Sequence, residues 1–357
     1  MSRNTIARID LSAVRQNLGR IRALAPRCAI AGVVKADAYG HGLARMCSAL
    51  KDVDILAVAT TSEAALCRQN GWSGRLLLLE GPSNVAEFEE SLALDAEMVV
   101  HHETQLQLLR QRQHEWKRAL WLKIDTGMHR LGFSEPNARA VHAELEKLRG
   151  EAPTVLMSHF ACADDVTNPM TLEQMERFEE VTSGLSGPVS LANSAGMINF
   201  PASQRDCVRP GIMLYGISPC RQRTAADIGL RPVMTLQCEL IAINQVKSGE
   251  SIGYGAAYRC ETDMQIGVAA IGYGDGYPRQ AKNGTPVLVN GRKASLVGRV
   301  SMDMITVDLK GHDQARVGDT VTLWGGGLPI EEVAPWANAI PYELICGVTA
   351  RVTARVE

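Results

Sequence analysis

Short apolar runs alternate with amphipathic stretches through the first two-thirds of the chain. The runs fall at Cys28–Lys35, Ile55–Thr60, Arg75–Glu80, Ala96–His101, Arg118–Asp125, Pro153–His159, Pro188–Asn193 and Cys207–Tyr215. They are apolar in continuous blocks rather than at every second position, the pattern of a strand buried on both faces. Their starts lie 19 to 35 residues apart, room for one helix between each pair. Stretches 62–69, 83–92 and 172–181 carry apolar residues at i and i+3 or i+4, as amphipathic helices do. Eight βα repeats predict a (β/α)8 barrel of the α/β class over residues 13–225. A doubly wound sheet would need fewer strands, and the G-x-G-x-x-G turn that often follows its first strand is absent. After residue 225 the periodicity changes. Runs at Met234–Val246, Gln265–Gly272, Pro286–Val289, Ala294–Val300, Met304–Leu309 and Thr320–Trp324 are broken by glycine and charged turns. They predict a second, mainly β domain over 226–357. Residues 1–12 contain one more strand-like run, Thr5–Leu11, expected to pair into that domain.

In a parallel barrel, chemistry gathers at the carboxyl ends of the strands. The runs end on polar groups that a buried strand would otherwise avoid: Lys35, Asp125, His159, Asn193-Ser194 and Arg209. A lysine in such a place either snorkels to water or, where it is desolvated, becomes a nucleophilic amine suited to a Schiff base. Gly211 and Ile212, beside Ser194, could turn backbone amides and a hydroxyl toward an anion. In the second domain, Gly253-Tyr254-Gly255 and Gly272-Tyr273-Gly274 flank tyrosines with glycine, which suits either presentation of a phenol or packing in β turns.

Composition narrows the choices. The 357 residues carry a net charge of −2, which excludes a strong electrostatic footprint for nucleic acid or an anionic membrane. No apolar run is long enough for a spanning helix. The nine cysteines are scattered without C-x-x-C spacing, so neither a disulfide framework nor a metal site is expected. The N-terminal sequence shows no apolar segment of an export signal, and a cytoplasmic location is expected. Seven tyrosines are unevenly spread, with four inside 254–277.

The segments Val33-Val-Lys-Ala-Asp-Ala-Tyr-Gly-His-Gly42, Leu122-Lys-Ile-Asp-Thr-Gly-Met-His-Arg130, Met157-Ser-His-Phe160, Val208-Arg-Pro-Gly-Ile212, Gly253-Tyr-Gly255, Gly272-Tyr-Gly-Asp-Gly-Tyr-Pro-Arg279 and Val297-Gly-Arg-Val-Ser-Met-Asp303 together resemble the alanine racemase family. The resemblance spans nearly the whole chain. Position 37 is Asp where many members have Asn.

The resemblance implies a pyridoxal 5′-phosphate (PLP) enzyme that interconverts L- and D-alanine. Lys35 would hold PLP as a Schiff base and act as one base. Tyr254, from the other subunit of a homodimer, would be the second. Tyr39, Ser194, Gly211, Ile212 and Tyr342 would hold the phosphate. Arg209 would meet the pyridine nitrogen, and His159 would link Arg209 to the catalytic tyrosine. Arg130 and the Met302 amide would steady the substrate carboxylate. Lys123 matches a lysine that is carbamylated in many members. Tyr273 would narrow the entrance, with Arg279 and Arg299 along the outer corridor. The product would be D-alanine for peptidoglycan, or the reaction would serve alanine catabolism. A broader-specificity amino-acid racemase on the same fold is the alternative. A PLP-dependent decarboxylase would usually be longer, and a PLP-carrier barrel would lack the second domain.

Overall fold

The computed structural model describes residues 4–112 and 115–357. Its chain forms two compact units. One comprises residues 15–214 and 218–223, the other residues up to 14, 215–217 and 224–357. The first three residues of the segment 1–12, and positions 113 and 114 of the barrel repeat, lie outside the described residues.

The larger unit holds eight parallel strands, in chain order Ala29–Val33, Ile55–Val58, Arg75–Leu78, Glu97–Val100, Leu120–Lys123, Thr154–Met157, Val189–Ser190 and Cys207–Val208. The last pairs with the first, Ala29 opposite Cys207 and Ile30 opposite Val208. The seventh meets the eighth through the parallel bridge of Asn193 and Arg209, so the sheet closes into a barrel. Most of these strand residues are fully buried, which is why their sequences are continuously apolar. Helices follow the strands, and their starts are readable locally. Thr60 caps Thr61–Gln69 in a reciprocal box with Glu63, and Asn84 caps Val85–Ala93.

All eight runs end as strands earlier than the sequence suggests, and in two of them another element begins within the run. The first stops as a strand at Val33, and Lys35 instead opens a short helix, Lys35–Tyr39. The eighth is a strand only over Cys207–Val208. Pro210 cannot donate to a ladder, and Ile212–Tyr215 winds into a 3-10 turn.

In the smaller unit six strands close on themselves, in the order Met264–Ala269, Ile305–Asp308, Arg292–Leu296, Pro286–Val289, Thr320–Trp324 and Met234–Val246. The long strand Met234–Val246 makes closure possible. Its first half pairs with Thr320–Trp324 and its second with Met264–Ala269, with a register irregularity between Leu240 and Ala242. Ile6–Ile9 adds to the same long strand, and Thr353–Val356 adds to Ile6–Ile9 in parallel. That last strand was not expected, because Thr-Ala-Arg-Val is exposed along its length and shows no apolar face. The hairpin of Ser251–Ile252 and Tyr258–Arg259 around Tyr254 was also not expected, since it has two residues per arm. Among the described residues no helix is long and apolar enough to cross a membrane.

The entering ends of the barrel strands contain a buried carboxylate. The Glu97 side chain is 3% exposed and accepts from Arg75 Nε at 2.5 Å. It also accepts from Arg75 Nη2 at 3.1 Å and from the Trp121 indole N–H at 2.7 Å. Removing one partner of a buried ion pair strands the other charge, at about 3–5 kcal/mol. Arg75 is half-exposed, so Arg75→Met should cost about 2–3 kcal/mol, below that range because water reaches the vacated place. Urea unfolding should show Arg75→Met/Glu97→Gln more stable than Arg75→Met alone.

Candidate active site

The segment after Lys35 is the most unusual backbone in the chain. Ala36, Asp37, Ala38 and Tyr39 have φ of 53°, 49°, 55° and 53°. For residues with a Cβ, the left-handed conformation costs roughly 1–2 kcal/mol each. Four in succession require compensation, and the structure supplies it. The N–H groups of Ala38, Gly40 and Gly42 donate to the carbonyls of Val34, Ala36 and Asp37 at 2.9, 3.0 and 2.9 Å. Asp37 Oδ1 accepts from the Leu43 N–H at 2.6 Å, starting the helix Leu43–Ala49. His41 Nδ1 lies 2.9 Å from the Tyr39 carbonyl and 3.1 Å from that of Ala38. Complete burial pushes the His41 imidazole down to about 4, so it is neutral and that nitrogen is the donor.

The turn carries the buried Tyr39 ring toward the end of the eighth strand. A Cβ built on Gly211 would lie 2.5 Å from the Tyr39 hydroxyl, so only glycine admits the phenol there. The Gly211 N–H donates to Ser194 Oγ at 3.0 Å. Asn193 caps the short helix Ser194–Asn199 through the Gly196 N–H, which fixes Ser194 beside Gly211. A phenol, a hydroxyl and a backbone amide are thus gathered from three different strand ends, with Ile212 fully buried behind them. Groups of these kinds, so placed, have the chemistry to hold a tetrahedral oxyanion.

The barrel end is also rich in positive charge. Arg209 is 4% exposed. It donates to the carbonyls of Ser190 and Ser158 at 2.8 and 2.6 Å, and to Ser190 Oγ at 2.6 Å. Burial lowers its guanidinium only to about 10, so it stays charged at neutral pH. Its Nη2 is 3.4 Å from His159 Nδ1. Burial, then Arg209, then Lys123, Arg130 and Lys35, hold His159 well below the ordinary imidazole range. Lys123 is buried at the end of its strand. Desolvation, reinforced by Arg209, Arg130 and Lys35, lowers its ammonium to about 8, against a smaller opposing pull from Glu80. The lysine and arginine residues converge here with one neutral imidazole, an arrangement that attracts an anion.

Arg130 rides on a loop that folds back over the fifth strand. Phe133 N–H donates to the Lys123 carbonyl and Asp125 N–H to the Phe133 carbonyl, both at 2.9 Å. Asp125 Oδ1 accepts from the N–H groups of Gly127 and His129 at 3.0 Å each. Gly132, at φ +132°, passes so close that a Cβ would meet the Asp125 nitrogen at 2.7 Å.

The other sequence-predicted residues belong to the smaller unit. Tyr254 is 70% exposed, at the tip of its hairpin. Gly253 and Gly255 flank it at φ +76° and +68°, close to Arg299. The Tyr273 and Met302 loops are bolted together, Tyr273 N–H to the Ser301 carbonyl at 3.0 Å and Gly274 N–H to the Met302 carbonyl at 2.9 Å. Arg279 and Arg299 are exposed, and Tyr342 is half-buried in the helix Pro341–Cys346. Tyr277 is buried and stacks on Trp324. Sequence reasoning missed Glu63 and Ser190. The first is hidden in a helix cap, and the second is one more small residue in a buried strand.

The chain matches the family description "Alanine racemase, N-terminal domain" over residues 9–219. It matches "Alanine racemase, C-terminal domain" over 233–356. It is 49% identical over 353 residues to the alanine racemase of Nitrosococcus oceani, covering 98% of each chain. The structure of the biosynthetic alanine racemase from Pseudomonas aeruginosa superimposes with a TM-score of 0.97 at 45% identity, covering 99% of each chain. The alanine racemase from Bartonella henselae, solved with covalently bound pyridoxal phosphate, matches with a TM-score of 0.89 at 27% identity over 99% of each chain.

Two tests follow from this geometry. Gly211→Ala should weaken binding of inorganic phosphate, read by calorimetry, because the new methyl displaces the Tyr39 hydroxyl. The loss of one charge-assisted hydrogen bond corresponds to about tenfold or more. Lys123 ionises near 8 in the folded protein, below its unfolded value of about 10.4. Below pH 8 both states are charged and the folded one bears the full cost, which is relieved as pH rises from about 8 to about 10. In buffer free of carbon dioxide, Lys123→Met should therefore be the more stable protein at pH 7, by about 1–3 kcal/mol. The difference should shrink as pH rises, read from denaturation midpoints.

Proposed function

The chain belongs to the alanine racemase family, and from that membership we propose that it interconverts L- and D-alanine with PLP, using Lys35 and Tyr254 as its two bases. The observation that carries the cofactor assignment is the cradle of Tyr39, Ser194 and Gly211, closed to any side chain at 211 and reached by the turn that starts at Lys35. It fits a phosphate monoester, and Lys35 supplies the amine for covalent attachment. When bound, PLP supplies an electron sink that makes the α-proton of an amino acid removable.

The protein's own groups do the rest. Lys35 Nζ takes or returns the α-proton on one face. The Oη of Tyr254, contributed by a second copy of the chain, does so on the other, which inverts the centre without rotating the substrate. The exposure of Tyr254 supports that assignment. His159 is neutral beside a charged Arg209, so it can pass hydrogen-bond polarisation toward the tyrosine without adding a second cation. Arg209, gripped by carbonyl oxygens, keeps its protons and offers a donor to the ring nitrogen of the cofactor. Arg130 and the Met302 amide bind the substrate carboxylate.

Lys123 completes this reading. As an amine of lowered basicity it can attack carbon dioxide. The unprotonated amine forms an N–C bond as one C=O π pair of carbon dioxide moves onto oxygen, one N–H proton leaves to solvent, and the carbamate anion so formed would stand near Arg130. That replaces a cation among cations by an anion, which orients the Arg130 guanidinium. Tyr273 narrows the entrance, with Arg279 and Arg299 outside it and Tyr342 on the phosphate. The scattered cysteines suit a reducing compartment, the cytoplasm.

The deciding experiment incubates the protein and PLP with L-alanine, and separately with L-serine, and resolves the enantiomers by chiral chromatography. D-alanine should accumulate to an equal mixture, and its absence would overturn the reading. Lys35→Ala should abolish the visible absorbance of lysine-bound PLP. Tyr254→Phe should slow α-proton exchange from one enantiomer by about 10²–10⁴, as loss of a general base does, and slow the other less. Equal loss for both enantiomers would overturn the division between two bases.

A further inference from the structure

We infer that Glu63 is a positioning residue for Lys35 and Tyr39, and that its carboxylate holds the left-handed turn in the shape that cofactor binding requires. In the sequence, Thr60-x-x-Glu63 is an ordinary helix-capping pair, and the structure does contain the reciprocal cap. The carboxylate does more than the cap needs. Its Oε2 accepts from the N–H groups of Ala59 at 2.9 Å and Thr60 at 3.3 Å. Its Oε1 faces the neighbouring strand–helix loop and accepts from the Ala36 N–H at 2.7 Å. That N–H belongs to the peptide group joining Lys35 to Ala36. One carboxylate therefore ties the exit of the second barrel strand to the peptide plane of the lysine itself.

The position of this bond matters because Ala36 is the first of the four left-handed residues. Such a run persists only where its surroundings over-determine it. The other compensating bonds, those to the Val34, Ala36 and Asp37 carbonyls and to the Asp37 side chain, lie within residues 34–43 and move with the turn. The Val34 N–H already donates to the Ala57 carbonyl of the neighbouring strand at 2.9 Å, and the bond to Glu63 carries that anchorage past Lys35 to the first left-handed residue. At the other end Tyr39 reaches Gly211, so a change of plane at Ala36 is transmitted to the phosphate cradle.

The two oxygens of Glu63 serve donors on opposite sides, which a glutamine cannot imitate. Glutamine keeps one acceptor and turns an NH2 group toward the remaining N–H. Because glutamine is also accepted in capping boxes, Glu63→Gln preserves the helix start and loses the hold on Ala36. Thr60→Ala is the complementary control, removing the hydroxyl that accepts from the Glu63 N–H and leaving the carboxylate with its backbone donors in place.

The inference rests on the cofactor reading above, and the test separates the two. Wild-type protein, Glu63→Gln and Thr60→Ala are stripped of cofactor and titrated with PLP, and hydrogen exchange over 34–42 is measured before PLP is added. Glu63→Gln should weaken PLP about tenfold to a hundredfold, the worth of a charge-assisted hydrogen bond, and speed exchange at Ala36. It should also change the pH dependence of the lysine-bound PLP absorbance. Thr60→Ala should lower the melting temperature yet keep PLP affinity within about twofold of wild type. Equal PLP affinities for Glu63→Gln and wild type, or equal losses in both variants, would overturn the inference. If wild-type protein takes up no PLP, the cofactor reading falls instead. Exchange at Ala36 then decides the role of Glu63, with unchanged protection in Glu63→Gln overturning it.

Discussion

The barrel must keep several positive groups close together in a place from which water is largely excluded, and much of the site is organised by that constraint. Each group meets it differently. Arg209 keeps its charge and surrounds itself with the carbonyls of Ser158, Ser190 and Leu191. Lys123 becomes easy to deprotonate, and His159 stays neutral. A protein that needed only stability would have filled these positions with apolar side chains, which serve as well or better in a core. The arrangement makes sense as a receptor whose missing charge is brought by anionic ligands, the phosphate and carboxylate of the proposed chemistry.

The left-handed turn is the geometric counterpart of that electrostatic constraint. A right-handed start after Val33 would be the default for the Ala-Asp-Ala sequence. Here the chain bends the other way and delivers a phenol to a glycine that a methyl group would block. Strain of this kind is usual where function fixes the backbone more tightly than folding does.

Much of this was legible in the sequence. All eight apolar runs of the first part became parallel strands, because a strand buried on both faces has a composition that few other elements share. In the second part Met234–Val246, Pro286–Val289 and Thr320–Trp324 are strands over the spans their periodicity marks. The losses were local. Thr353–Val356 has no apolar face because it lies at the edge of its sheet, where pairing with Ile6–Ile9 alone defines it. Lys35 reads as a strand end, since nothing in Lys-Ala-Asp-Ala-Tyr announces four positive φ angles. Glu63 reads as a cap, because the partner that gives it a second meaning lies 27 positions away. Patterns of burial survive in a sequence, but the use of one oxygen rather than two does not.

The placement of Ile6–Ile9 has a consequence for how the chain is made. Ile6–Ile9 leaves the ribosome long before both of its partners, Met234–Gln237 and Thr353–Val356. The strands and helices between residues 15 and 214 can assemble while the ribosome is still at work. The pairing of Ile6–Ile9 cannot be completed in that period, because it must wait for Met234–Gln237 and then for Thr353–Val356. Non-local pairing of this sort is slow and leaves an open sheet edge in the meantime. The two units of one polypeptide therefore mature on different clocks, and the period between them is when the nascent protein is most exposed to faulty association.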